Sequence, residues 1–192
     1  MTKYKLKYPI EIDGKTVSEV SIRRPKGRDM VALGDHIAAL ARLEPATVAR
    51  IEAFVLAVLC ADLVGTMAGA LDGAVDHARQ REQFGRPIGS FQAVAHMCAD
   101  AHVSIEAARS ATWRAAWAVD ALPVEEALDA ARVAKAWCSE AGREVCESAI
   151  QVWGGLGMTW ECDAHRHLRR ALQSRALLGD EGHQLSLLAG VA

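Results

Sequence analysis

Ala78-Arg79-Gln80-Arg81-Glu82-Gln83-Phe84-Gly85-Arg86-Pro87-Ile88-Gly89-Ser90-Phe91-Gln92 decides the fold of this chain. It is the break between two long apolar-periodic segments. Gly85, Pro87 and Gly89 stop one helix, and Ser90 can cap the next. Arg79, Arg81 and Arg86 crowd the break together with Gln83, Gln92 and Phe84. Guanidinium and amide donors beside an aromatic ring suit an anion that carries a planar group. The same composition also fits a solvated helix corner.

Upstream, residues 46–83 hold the longest helical pattern. Val48, Ile51, Val55, Leu59, Ala61, Leu63, Met67, Leu71, Val75 and Ala78 recur at three- and four-residue intervals. Gly65, Gly69 and Gly73 recur on one face, which predicts close helix–helix approach. Downstream, residues 90–120 form a second helix with Phe91, Val94, Cys98, Ile105, Ala108, Thr112 and Ala116 inward, and with Trp113 and Trp117 filling core or interface. Pro123 starts a third helix over residues 124–152. Gln151-Val152-Trp153-Gly154-Gly155-Leu156-Gly157-Met158-Thr159 stops it. Its glycines permit positive φ and close backbone approach, and its N–H groups could cradle a phosphate. A glycine cap followed by a turn has the same signature. A fourth helix covers Glu161 to Leu178, and Gly179-Asp180-Glu181-Gly182 breaks it.

The chain has 192 residues, enough for one good core or a core plus a small appendage. Its net charge of −2 argues against a nucleic-acid partner. Arg, Asp and Glu interrupt every apolar segment, so no span is expected to cross a membrane. The first residues, MTKYKLKYPIEID, carry no apolar signal core, which points to the cytoplasm. Cys60, Cys98, Cys138, Cys146 and Cys162 are odd in number and scattered, so they read as reduced packing thiols. His165 and His167 are two apart and face apart on a helix, which disfavours a metal site.

Residues 4–24 alternate about an Asp13-Gly14 turn and read as a β-hairpin with a basic exit at Arg23-Arg24. Pro25-Lys26-Gly27 breaks the chain. Asp29 to Leu43 carries an apolar stripe of Met30, Leu33, Ile37 and Leu40, which predicts a short helix. Pro45 suits the first turn of the next one.

Two resemblances follow. From about Val58 onward, Ala70-Leu71-Asp72, ARQREQFGRPIGSFQ, Glu106-Ala107-Ala108-Arg109, Ala134-Lys135, QVWGGLGMTWE, His165 and Arg169-Arg170 resemble, in order, the C-terminal helical domain of the acyl-CoA dehydrogenase family. Residues 3–54, with YKLKYPIEIDGKTVSEVSIRRPKGRD, resemble small phage tail-assembly chaperones. The implied architecture is mainly α: an antiparallel up-down four-helix bundle with a small N-terminal β-hairpin appendage. The implied domains are 1–54, chaperone-like, and 55–192, the bundle.

The first resemblance implies a FAD site shared across a subunit interface. Arg81 and Phe84 match the family's Arg-x-x-Phe pattern, with Gln83 between them. The arginine would meet a neighbour's FAD pyrophosphate, a task that suits a guanidinium fork. Gln151, Gly154 and Gly155 match the second FAD-contacting stretch. The family's catalytic glutamate, which removes the substrate α-proton, has two locations, and here they hold Leu178 and Val55. Leu56 stands where relatives carry arginine, and Asp180 and Gly182 replace a threonine and a glutamine. No catalytic residue is therefore assigned; Glu52 lies about a turn from Val55 and Glu181 about a turn past Leu178, and neither is taken as the base. The family's N-terminal helical and middle β-domains have no counterpart in this sequence.

The resulting expectation is a base-less subunit or fragment. It would support α,β-dehydrogenation of acyl-CoA thioesters, with substrate reached through an acyl-CoA dehydrogenase-like partner or through self-association. The alternatives are a chaperone-like binding module and a non-catalytic dimerising bundle.

Overall fold

The computed structural model describes residues 2–12, 15–22 and 43–191. The chain divides into two compact units, Met1–Glu44 and Pro45–Ala192. In the first, β1 (Thr2–Ile12) and β2 (Lys15–Ile22) pair antiparallel, with Ile12 opposite Lys15, Ile10 opposite Val17 and a register irregularity between Lys5 and Ile10. This is the expected hairpin. The helix expected over 29–43, the Asp13-Gly14 turn and the Arg23–Gly27 exit lie outside the described residues, except for Leu43.

The second unit is a helical bundle. Its long members are α1 (Pro45–Gln80), α2 (Gln92–Ala121), α3 (Val124–Trp153) and α4 (Ala164–Ala176), followed by a short α5 (Glu181–Leu188). Pro45 opens α1 because a first-turn residue needs no N–H donor. Leu122 and Pro123 alone join α2 to α3, so the two run antiparallel. Glu125 and Glu126 stand in the first turn of α3, where the helix dipole favours negative charge. α1 packs on α2, α3 and α4, and α3 packs on every other helix. α1 is unbroken across 54–58, where the two sequence resemblances meet.

The core is built on alanine. Ala53, Ala74, Ala108, Ala115, Ala131, Ala134 and Ala171 are fully buried, with Leu56, Leu63, Met67 and Ile105 as the largest apolar fillers. Small side chains at the contacts let helix axes approach closely. Across the bundle, Arg170 clasps Asp62 through Nε (3.0 Å to Oδ2) and Nη2 (2.6 Å to Oδ1), and the Ser174 hydroxyl donates to the same carboxylate at 2.6 Å. This ties α4 to the middle of α1.

Several details differ from expectation. Trp113 and Trp117 are exposed, at 71% and 53%, and Ala116 is exposed as well; the buried turn of α2 is instead Ala108, Ala115 and Ala118. Val48, Ile51, Val55 and Ala61 lie on the open side of α1. The glycine stripe does not bring two helix backbones together. Gly69 seats the His167 ring and Gly73 the Trp153 ring, while Gly65 is exposed. Ser90 does not cap α2: Phe91 is the cap residue, and the Ser90 hydroxyl donates to the Pro87 carbonyl at 2.7 Å. α1 is, by length and composition alone, apolar enough to cross a membrane, and 44% of its most apolar window is buried inside the bundle.

Candidate functional site

The break after α1 is a miniature hairpin. β3 (Glu82–Gln83) pairs with β4 (Arg86–Pro87), and Phe84 and Gly85 form the turn between them with φ of 55° and 76°. Positive φ at both central positions is what a type I′ two-residue hairpin turn demands. The main chain closes it at the base: Arg81 N–H donates to His77 O, and Ile88 N–H to Arg81 O, each at 2.8 Å. The sequence signal for this turn was hidden because Phe84 is not a residue that ordinarily takes left-handed backbone.

The turn throws the Phe84 ring outward, 92% exposed, with its edge toward Phe91 at 6.1 Å. The Arg86 guanidinium lies over the Phe91 ring at 4.1 Å, and Arg79 pairs with Asp76 at 3.7 Å. Gln83 turns its amide onto the Glu82 carbonyl at 2.8 Å. Arg81 is exposed and forms no ion pair among the described residues. Of the three arginines at the break, it is therefore the one whose guanidinium is not already engaged.

The second segment caps α3. Gly154 takes φ 63° and donates its N–H to the Gln151 carbonyl, and a 3-10 turn over Gly154–Met158 follows. Gln151, Gly154 and Gly155 are exposed. A Cβ on Gly154 or Gly155 would meet nothing within 4 Å, so the space beside this backbone is open. Gly157 serves a different purpose: a Cβ there would lie 2.9 Å from the Ile150 carbonyl oxygen. It is required for the turn to fold.

His77 and Trp153 join the two segments. Their rings stack at 4.2 Å and 20°, one turn before Arg81 and immediately before Gly154. Burial, and then the charge of Arg81, hold the His77 pKa below its usual value, which keeps a neutral imidazole against the indole. The C-terminal ends of α1 and α3 thus share one end of the bundle, and Arg81, Gln83, Phe84, Gln151, Gly154 and Gly155 are displayed there. Sequence reasoning missed the His77–Trp153 contact; the only available signal was the helical spacing of His77 to Arg81. A groove of about 510 Å³ lies elsewhere, between α1 and α2, lined by Phe54, Val58, Ala61, Arg109, Thr112 and Trp113 among others. None of the six site residues contributes to it.

Val55 and Leu178, where the sequence resemblance places a base, are apolar and partly exposed, at 36% and 49%. The neighbouring carboxylates are engaged. Glu52 pairs with Arg132 at 3.3 Å. Glu181 accepts from Arg175 Nε at 2.8 Å and from its Nη2, and this ion pair holds the carboxyl below the usual range. A carboxylate locked to arginine and kept ionised is a weak proton acceptor.

Comparison with known proteins finds two families, whose matches overlap over residues 56–79 within α1. The family described as Acyl-CoA dehydrogenase, C-terminal domain, matches residues 56–192, and that described as Phage tail assembly chaperone proteins, E, or 41 or 14, matches residues 3–79. Acyl-CoA dehydrogenase FadE34 of Mycobacterium tuberculosis is 43% identical over 136 residues, covering 71% of this chain and 19% of FadE34. Among solved structures, the Tcur3481-Tcur3483 steroid ACAD G363A variant superposes with a TM-score of 0.74 at 34% identity, covering 78% of this chain and 41% of that one. The ChsE4-ChsE5 complex of Mycobacterium tuberculosis gives 0.66 at 32% identity, covering 72% and 37%. The chain therefore spans less than half the length of each of these relatives. Members of the matched family use FAD. With a matching fold, ordered motifs and coverage of most of its length, the chain belongs to the acyl-CoA dehydrogenase family through its C-terminal domain.

Proposed function

We propose that residues 55–192 supply half of a FAD site in a base-less subunit or fragment that supports α,β-dehydrogenation of acyl-CoA thioesters. The observation that carries this is the shared bundle end. Two exposed, glycine-relieved helix termini are held side by side by the His77–Trp153 stack, with the Arg81 guanidinium and the Phe84 ring displayed beside open backbone. Donors and an aromatic face presented to solvent suit a ligand held mainly by another chain. Arg81 would take a phosphate oxygen pair, Phe84 would cover a planar ring, and Gln151 with the Gly154 and Gly155 backbone would line the dinucleotide. When bound, FAD supplies the hydride acceptor. The substrate α-proton would be removed by a partner's carboxylate, since Leu178 and Val55 cannot accept it.

The partner is a second acyl-CoA dehydrogenase-like chain or a second copy of this one. The neighbour whose name records a ChsE4-ChsE5 complex supports the hetero-oligomeric form. We assign the protein to the cytoplasm; the alternative, a chaperone-like binding module, rests on the family match over residues 3–79.

Titration of FAD against the pure protein, alone and with a co-expressed full-length dehydrogenase subunit, tests the proposal by flavin fluorescence. Binding is expected with the partner and to weaken 10- to 100-fold in Arg81→Ala, on the order of a charge-assisted hydrogen bond. FAD binding that ignores Arg81 would overturn the site. Dye reduction by the pure chain with FAD and acyl-CoAs would overturn the base-less assignment.

A further inference from the structure

Lys135 is the single lysine after Lys26 in this sequence, and it is fully buried on α3. An ammonium removed from water costs several kcal/mol unless its donors are satisfied. Among the described residues, no carboxylate satisfies this one. Its Nζ donates to Ser139 Oγ at 2.9 Å, to the Arg175 carbonyl at 2.8 Å and to the Gly179 carbonyl at 2.8 Å. Burial draws its pKa down, opposed by the fields of Cys60, Asp180, Cys138 and Glu181.

Two of those three bonds flank Leu178. Leu178 has φ 56°, in the left-handed region, and Gly179 has φ 91°. For a non-glycine residue this backbone costs about 1–2 kcal/mol. From the other side Gln184, also fully buried, donates its Nε2 to the Leu178 carbonyl. The carbonyls of 175, 178 and 179 are thus all held by buried side chains from α3 and α5. Strained backbone persists where its surroundings over-determine it, and such places are often functional.

We propose that Lys135 is a positioning residue that locks the 177–180 turn, so that side chain 178 projects from a fixed point on the bundle surface whatever residue stands there. The inference rests on the reading above only in equating Leu178 with the base position. The clamp also tolerates loss of the lysine proton. A neutral amine keeps two N–H groups for the two carbonyls, and the Ser139 hydroxyl reverses to donate to its lone pair. The chain thus keeps the frame of a catalytic position after losing its carboxylate.

The test is residue-resolved hydrogen exchange on the full chain, which needs neither FAD nor substrate and so is independent of the proposed activity. In Lys135→Met, exchange at 177–179 should rise at least tenfold while the α1 core stays within threefold of wild type. Adding Leu178→Gly, which removes the left-handed penalty, should recover most of the lost protection. A rise spread evenly over the bundle, or no recovery with glycine, would overturn the proposal. Should Lys135→Met fail to fold, trans-hydrogen-bond couplings from Lys135 Nζ to the Arg175 and Gly179 carbonyls in wild type decide it: their presence supports the clamp and their absence overturns it.

Discussion

The shared end of α1 and α3 and the turn after α4 are opposites. At the first, polar and aromatic side chains stand in solvent with few partners, and the backbone beside them is open. At the second, the backbone is held from within by Lys135 and Gln184, and the exposed side chain is the chemically inert Leu178. One region displays polar and aromatic groups without enclosure; the other holds its backbone firmly and displays only an apolar side chain. If residue 178 stands at the base position, as proposed above, the residues that hold that position and the residue that acts there are separate in the sequence and can be lost separately.

The largest expected effect removes the foundation both regions share. Leu63 is fully buried between α1 and α3, where a Cβ on Gly142 would come within 2.9 Å of it. Leu63→Ala should cost about 2–5 kcal/mol by denaturant unfolding, and both regions should lose exchange protection together. Loss in only one would mean they do not rest on one core. Gly157→Ala sharpens the comparison from one side. Its Cβ meets main-chain oxygen, which cannot move aside as a flexible side chain would, so a cost of about 1–3 kcal/mol is expected. The 154–158 turn should shift while 177–180 stays protected.

Smaller again is the clasp at Asp62. Arg170, and then the Ser174 hydroxyl, hold its carboxyl below its ordinary 3.8. A depressed carboxylate contributes stability that is present above its unfolded pKa and lost as pH falls through the folded one. Arg170→Ala should therefore cost about 1 kcal/mol near pH 7 and flatten the loss of stability below about pH 4, read from thermal melts across pH. The smallest effect belongs to Phe84→Ser. With its ring 92% exposed, stability should change by less than about 0.5 kcal/mol. A larger loss would show that this turn is built for the fold, and the contrast between displayed and framing residues would fail there.

The bundle was legible because glycine and proline sit at its breaks and small apolar residues keep helical spacing between them. The fine structure was not. Phe84 gives no sign of left-handed backbone, since nothing in its side chain favours that conformation; the hairpin closure around it imposes it. Of the two places expected for Trp113 and Trp117, the core is excluded: alanines take the inward positions of α2, and the large rings face out, on the surface where an interface would lie. The glycine stripe on α1 was visible, but what lies against Gly69 and Gly73 is a pair of rings, His167 and Trp153, from segments distant in sequence. The six candidate site residues were proposed from order and motif. The stack that joins their two segments was not, because local spacing does not specify a long-range aromatic contact.

Every other lysine in the sequence, Lys3, Lys5, Lys7, Lys15 and Lys26, lies within the first 26 residues, and Lys135 is sealed inside the bundle. Amine-directed reagents and enzymes, from acylating cross-linkers to ubiquitin ligases, therefore find no reachable ε-amine anywhere from Pro45 onward. Surface immobilisation through lysine amines would couple the molecule only through its first 26 residues and leave the bundle's own side chains uncoupled. A ubiquitin tag on lysine would be confined to those same residues.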